Sequence, residues 1–103
     1  MSPRRLFAVI RTRGPRWDGA RSMENQDQWR AHATFMDALA ADGFVVLVGP
    51  LEGTSDVLLV VRAETSDEAA ARLADDPWER TDLLRVTRID PWSLRIGSRR
   101  LDG

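Results

Sequence analysis

The chain reads as an α+β domain of βαββαβ order, a four-stranded antiparallel sheet carrying two helices on one face. Three observations predict it. The runs LFAVI (6–10), FVVLV (44–48) and VLLVV (57–61) are short, apolar and rich in strand formers. A segment of helical periodicity separates the first run from the second, and a second helix start follows the third. LLRVTRI (83–89) then supplies a closing strand, and a split pair of β-α-β units packs its helices on one side of the sheet.

Taken in order, LFAVI is the first strand, and RTRGPRWDGARSMENQ, with Gly14, Pro15 and Gly19, is a long loop. A helix is expected from about Asn25 to Ala41, with Gly43 suited to end it. FVVLV and VLLVV do not alternate apolar with polar, so both faces of the sheet are expected to be covered. Thr65 and Glu68 form a capping box for the second helix, which turns Ala69, Ala70, Leu73 and Ala74 towards the sheet and ends near Asp75. Asp76 then caps a fresh helical turn with Pro77 at its first position. After Pro91, the alternation of Trp92, Leu94 and Ile96 predicts a short extra strand or arm. The whole of 1–103 is one domain, with a core over about 6–96 and a tail from 97 to 103. Helices cover only one sheet face. A second copy packed on the other is the simplest cover, so a homodimer is expected.

Composition removes several classes of function. A formal charge of -1 argues against nucleic acid as the partner. All fifteen basic residues are arginine, so no Schiff base can form. The absence of cysteine removes disulfides, thiolate metal sites and a cysteine nucleophile. The first apolar run spans five residues before Arg11, too short for a signal-peptide core or a membrane span, so a cytoplasmic location is expected. No glycine-rich phosphate loop or nucleophile motif is present, and one histidine makes a metal site a weak reading. No cofactor is expected.

The single histidine carries the chemistry. At ~100° per residue, His32 falls near the centre of an apolar arc with Trp29, Phe35, Met36 and Leu39, while Asp27, Arg30, Thr34 and Asp37 face away. Among the acidic residues, Asp37 and Asp42 read as surface charges and Asp76 as a helix cap. Capping and catalysis are compatible, since one carboxylate oxygen can cap while the other meets an imidazole. The structural alternative for His32 is a core histidine bonded to a backbone carbonyl. Gly49-Pro50 is a turn that also leaves space for a ligand.

The sequence from Trp29 through His32, Phe35-Met36, Leu39 and Gly43-Phe44 to Gly49-Pro50-Leu51, then Leu58 to Val61, Glu68-Ala69, Leu73 and Asp76-Pro77-Trp78, resembles the YCII-related family. The resemblance implies a ferredoxin-like fold paired as a dimeric α/β barrel, with a histidine–aspartate pair in a cleft by the sheet. On this chain the pair corresponds to His32 and Asp76, beside Gly49 and Pro50. One group of members removes chloride from a chlorinated hydroxyhydroquinone. Two departures remodel the pocket mouth and stop a substrate from being carried over. The first loop, with Trp17, Arg21, Ser22, Met23 and Gln26, is longer, and the connection between the second and third strands is shorter.

The expected function is that of a small-molecule-binding protein, a cofactor-independent lyase or isomerase using His32 and Asp76 on an aromatic or enolisable substrate. Trp29, Phe35, Met36 and Trp78 would form the walls, and Arg21 would steer an anionic group. The alternative is a non-catalytic ligand-binding or accessory domain whose pair only stabilises the fold.

Overall fold

The computed structural model of the chain describes residues 4–97, so positions 98–103 of the expected tail lie outside the described residues. Strands β1 (Arg5–Arg13), β2 (Val45–Pro50), β3 (Asp56–Ala63) and β4 (Leu84–Pro91) alternate with helices α1 (Trp29–Ala41), α2 (Ser66–Ala74) and the single turn α3 (Pro77–Arg80). The sheet order is β2-β3-β1-β4, with every neighbouring pair antiparallel. This is the ferredoxin-like α+β arrangement.

Cross-strand partners share a face, so the register divides the sheet. Phe7 faces Val61 and Val9 faces Leu59; these four, with Leu39, Phe44, Ala69 and Leu73, form the aliphatic core beneath α1 and α2. On the opposite face Ala8 meets Val60, Ile10 meets Leu58, and Leu47 meets Val60. That face is apolar at its centre and polar along β4, where Arg88 and Asp90 pair with each other. The expected cover on both faces is incomplete in the single chain, since Leu47 is 56% exposed.

Several boundaries differ from the sequence reading. β1 continues through Arg13, because Arg11 keeps the inward register of Phe7 and Val9 despite its charge. α1 begins at Trp29, four residues later than expected. Met23–Asn25 form a 3-10 turn, and Gln28 adopts left-handed backbone (φ 60°) that no continuous helix allows. Buried Gln26 holds the loop instead, donating to Asp18 O at 2.7 Å and accepting from Asp18 N at 3.0 Å. Glu68 closes its capping box on Glu64 N at 2.9 Å, one residue before the expected Thr65, while Thr65 Oγ1 accepts from Glu68 N at 3.1 Å. On α2, Ala69 and Leu73 are buried, Ala70 is half-buried and Ala74 exposed. Asp42 is exposed, yet it joins the helices: it accepts from Phe44 N and pairs with Arg72, whose guanidinium lies 4.4 Å from the Phe44 ring centre. Among the described residues, 92–97 form no strand, and Trp92 N adds one bond to Leu6 O at 2.8 Å.

Where β1 leaves the sheet, Gly14 N donates to Leu83 O at 2.9 Å, and a Cβ on Gly14 would stand 2.2 Å from Asp82 O. No side chain fits against a backbone oxygen there. Gly14→Ala should therefore cost about 2 kcal/mol, seen as a lower urea midpoint at unchanged slope.

Candidate active site

The site is assembled around one carboxylate. Asp76 stands at the end of α2 and is 0% exposed. Its Oδ1 accepts from Trp78 N at 2.9 Å, which caps α3, as the Asp-Pro sequence implies. His32 Nδ1, on α1, lies 3.0 Å from Oδ1 and 2.8 Å from Oδ2. Arg11 Nη2, on β1, donates to Oδ2 at 2.8 Å. Three elements thus converge on one side chain.

Charge explains how the carboxylate survives there. Burial is the largest influence and opposes its ionisation. The His32 hydrogen bond, the Arg11 charge and the Trp78 N–H together outweigh burial, so the Asp76 carboxyl lies below the ordinary value of 3.8. An ionised carboxylate only accepts, so His32 Nδ1 must donate. The neutral ring therefore carries its lone pair on Nε2, which has no hydrogen-bond partner among the described residues.

Arg11 is 1% exposed and needs more than one partner. Glu79, one turn along α3, accepts from its Nε at 2.9 Å and holds Val86 N at 3.1 Å through the other oxygen. Among the described residues Nη1 meets only Met36 Sδ, at 3.8 Å.

Beside this cluster lies a cleft of about 370 Å³, the lower end of the usual range for small-ligand sites. Trp78 walls it and stacks on the His32 ring at 3.7 Å between centres and 6° between planes. Trp78 is itself held by an Nε1 bond to Asp27 O at 2.7 Å, by Trp17 edge-on at 5.4 Å and by Trp29 at 5.8 Å. Met36, Val57 and Leu84 complete the apolar lining, and Val48, Gly49 and Pro50 of β2 form a rim.

The residues singled out from sequence are partly gathered here. His32, Trp29, Met36, Gly49, Pro50 and Trp78 line the cleft, and Asp76 stands behind His32. Phe35 does not; α1 is rolled so that this ring packs on the aliphatic core. Arg21 does not either, because it is exposed and paired with Asp18 at 3.3 Å and Asp27 at 3.6 Å. Asp37, read as a surface charge, is exposed but reaches the cleft edge. Arg11, Arg13 and Glu79 were not anticipated as site residues, and Trp17 and Met23 were expected only as members of a loop that remodels the pocket mouth. For the arginines a signal existed: they extend the period-two inward pattern of Phe7 and Val9. Trp17 and Met23 come from the long first loop, whose pairing with the sheet has no local signature.

A wider groove of about 500 Å³, bordered by Arg16, Asp27, Gln28, Arg80 and Asp82, has exposed charges and no imidazole. No group of three or more potential metal-ligating side chains exists among the described residues. No described helix is long and apolar enough to cross a membrane.

Fold and site together define a ferredoxin-like domain with a carboxylate-oriented histidine facing an apolar cleft. The chain belongs to the YCII-related domain family, whose pattern matches residues 6–93. Among solved structures it is similar to 5-chloro-2-hydroxyhydroquinone dehydrochlorinase from Burkholderia phenoliruptrix in complex with 2,5-dihydroxybenzoquinone. The TM-score is 0.65 and the identity 24%, over 85% of this chain and 93% of that one. The comparison with curated proteins returned no match.

Considered only as a partner for His32, Asp76 would tolerate Asn at little cost, since Asn also caps. The buried Arg11 changes that expectation. Asp76→Asn should cost about 3 kcal/mol at neutral pH, because it leaves a buried guanidinium with Glu79 alone. The stability contributed by a depressed carboxyl is present above its unfolded value of 3.8 and lost as pH falls through its folded value. The gap in unfolding midpoint between parent and Asp76→Asn should be full above about pH 5 and narrow in acid. A gap independent of pH would show that the charge of Asp76 is not what stabilises the site.

Proposed function

We propose that the chain is a cofactor-independent enzyme of lyase or isomerase type acting on a small aromatic or enolisable molecule. In this reading His32 is the general acid/base and Asp76 orients it. The observation that carries it is the orientation of one ring: Nδ1 donates to a buried carboxylate, and Nε2 is left for whatever enters the cleft. A histidine serving only the fold has no need of a free nitrogen beside a space of about 370 Å³.

The chemistry available is proton transfer. Nε2 takes a proton from a ring hydroxyl or from a carbon next to a carbonyl, and the released pair becomes a phenolate or enolate pair. Return of the proton to a different carbon gives an isomer. Expulsion of a leaving group with its bonding electrons gives an elimination, with the proton passing to solvent. The imidazolium formed in between is held by Asp76 and by the face of Trp78. The dehydrochlorinase to which the fold is similar acts on a hydroxyhydroquinone and binds a dihydroxybenzoquinone, which supports this substrate class.

The working unit in this proposal is a homodimer closed through the outer sheet face, forming a dimeric α/β barrel. Leu47, 56% exposed beside Val60, Leu58 and Ile10, marks the centre of the contact. Sedimentation equilibrium should give twice the chain mass of 11.6 kDa, with a contact burying more than ~1,500 Å² in total. Leu47→Glu should return the monomer; a parent protein that sediments as a monomer rejects the barrel.

For the site, the informative variant is His32→Leu, which keeps apolar packing and removes the ring nitrogens. With 2,5-dihydroxybenzoquinone as probe, the parent should gain thermal stability and the variant should not, while the two melt within a few degrees of each other unliganded. Equal ligand-induced shifts in both proteins would refute a working role for His32. Binding that depends on His32 without turnover of any phenolic, quinone or lactone compound would identify the ligand-binding alternative.

A further inference from the structure

Two arginines lie two residues apart on the same face of β1, and both border the cleft. Their electrostatic situations are opposite. Arg11 is 1% exposed and faced by two carboxylates, Asp76 and Glu79, so its charge is more than neutralised locally. Its Nη1 has no oxygen partner among the described residues and meets only the thioether of Met36 at 3.8 Å. A buried N–H group next to a cavity, with so weak an acceptor, is a hydrogen-bond donor waiting for a ligand oxygen. Because the cluster behind it already holds excess negative charge, the oxygen it suits is an uncharged carbonyl or hydroxyl, not a carboxylate or phosphate.

Arg13 is the reverse. It is exposed, forms no ion pair among the described residues, and lies with its guanidinium 4.5 Å from the Trp17 ring centre. The Trp17 face restrains the guanidinium plane and leaves its N–H edge for an anion. Asp37 borders the same cleft, but among the described residues no carboxylate forms an ion pair with Arg13.

The geometry points to a ligand with two unlike ends: an uncharged ring hydroxyl that accepts from Arg11 Nη1 and donates to His32 Nε2, and a full negative charge received by Arg13 at the mouth. Two residues along a strand cover about 6.6 Å of backbone, so a small ring with substituents at opposite ends is the ligand shape that tests both arginines at once. The substrate class is therefore a small planar hydroxylated ring with an anionic group opposite the reacting hydroxyl. This deepens the proposed function and rests on the cleft being a small-molecule site.

Three probes of nearly one shape separate the ends: 4-hydroxybenzoate, its uncharged amide 4-hydroxybenzamide, and 4-methylbenzoate, which lacks the ring oxygen. Affinities are read from the His32 ring signals in NMR titrations. In the parent, 4-hydroxybenzoate should bind about tenfold more tightly than the amide and about tenfold more tightly than 4-methylbenzoate. Arg13→Gln, an exposed change, should bring the acid-to-amide ratio close to one, and Arg13→Lys should restore much of it. The preference for hydroxyl over methyl should persist in both variants. An acid-to-amide ratio near one in the parent, or a ratio unchanged by Arg13→Gln, overturns the assignment of the anion to Arg13. Equal affinity for 4-methylbenzoate overturns the assignment of the inner oxygen. In each of those cases the cleft still binds ring compounds and the broader reading stands. If none of the three probes moves the His32 signals at millimolar concentration, both fall together.

Discussion

The structure depends on burying one carboxylate. Asp76 has no exposed surface, and an ionised group in that position is tolerated only if each oxygen is occupied by donors. The donors come from β1, α1 and the first turn of α3, 65, 44 and 2 residues away in sequence. Each requirement sets another. Arg11 brings a guanidinium larger than one carboxylate can satisfy, so Glu79 must stand one turn along α3. The second oxygen of Glu79 then holds Val86 N, opposite Arg11, where the β1–β4 register shifts. A bulge leaves a strand N–H without its ladder partner, and this carboxylate supplies one. The short helix, the bulge and the charged strand residue are consequences of one buried charge.

Strand β1 divides the molecule into two halves along its own length. Phe7 and Val9 belong to the aliphatic core with Leu39, Phe44, Leu59 and Leu73. Two residues on, Arg11 leaves that core for the charged cluster, and Trp78, Leu83 and Leu84 form a separate apolar group with Trp17, Met23 and Trp29 around them. The first group has no ionisable side chain among its buried members and works as packing. The second is built of indole rings, whose broad faces and fixed N–H directions hold an open cleft more firmly than flexible aliphatic chains would. Trp78 shows how: one face lies on His32, Trp17 meets it in a T-shaped contact, and its N–H is bonded to Asp27 O.

Elements were legible in the sequence where the physics is local. Apolar runs, a capping box and an Asp-Pro helix start specify strands and helix ends within a few residues, and they place His32 on an inward arc. What was hidden depends on distant partners. Arg11 ends the apolar run, so local pattern closes the strand at Ile10; only two carboxylates more than sixty residues away make its burial possible. Phe35 and Met36 share the inward arc, and which one meets the cleft is decided by the roll of α1 on the sheet. The late start of α1 has a similar origin, since Gln26 is drawn into the loop by backbone groups at Asp18 and Arg21. Side chains that point inward are readable from periodicity; the neighbours they meet there are not.

The arrangement also separates what the family pattern supplies from what this chain adds. The histidine, the aspartate and the Gly-Pro rim lie in the stretches that carry the resemblance, and they bring to a cleft an imidazole whose Nδ1 is held by Asp76. Because Asp76 engages Nδ1 through both oxygens, rotation of the ring would break bonds that no water replaces in a fully buried position. The orientation of the ring is thus a property of the fold, present before any ligand arrives. The long first loop contributes Trp17 and Met23 to the opposite wall, and Trp17 fixes Arg13 at the mouth. The loop therefore shapes one wall of the cleft, while the His32–Asp76 pair is built by other elements. Orientation of the imidazole and the shape of the cleft mouth are carried by different segments, and only the first is tied to the buried charge on which the domain is built.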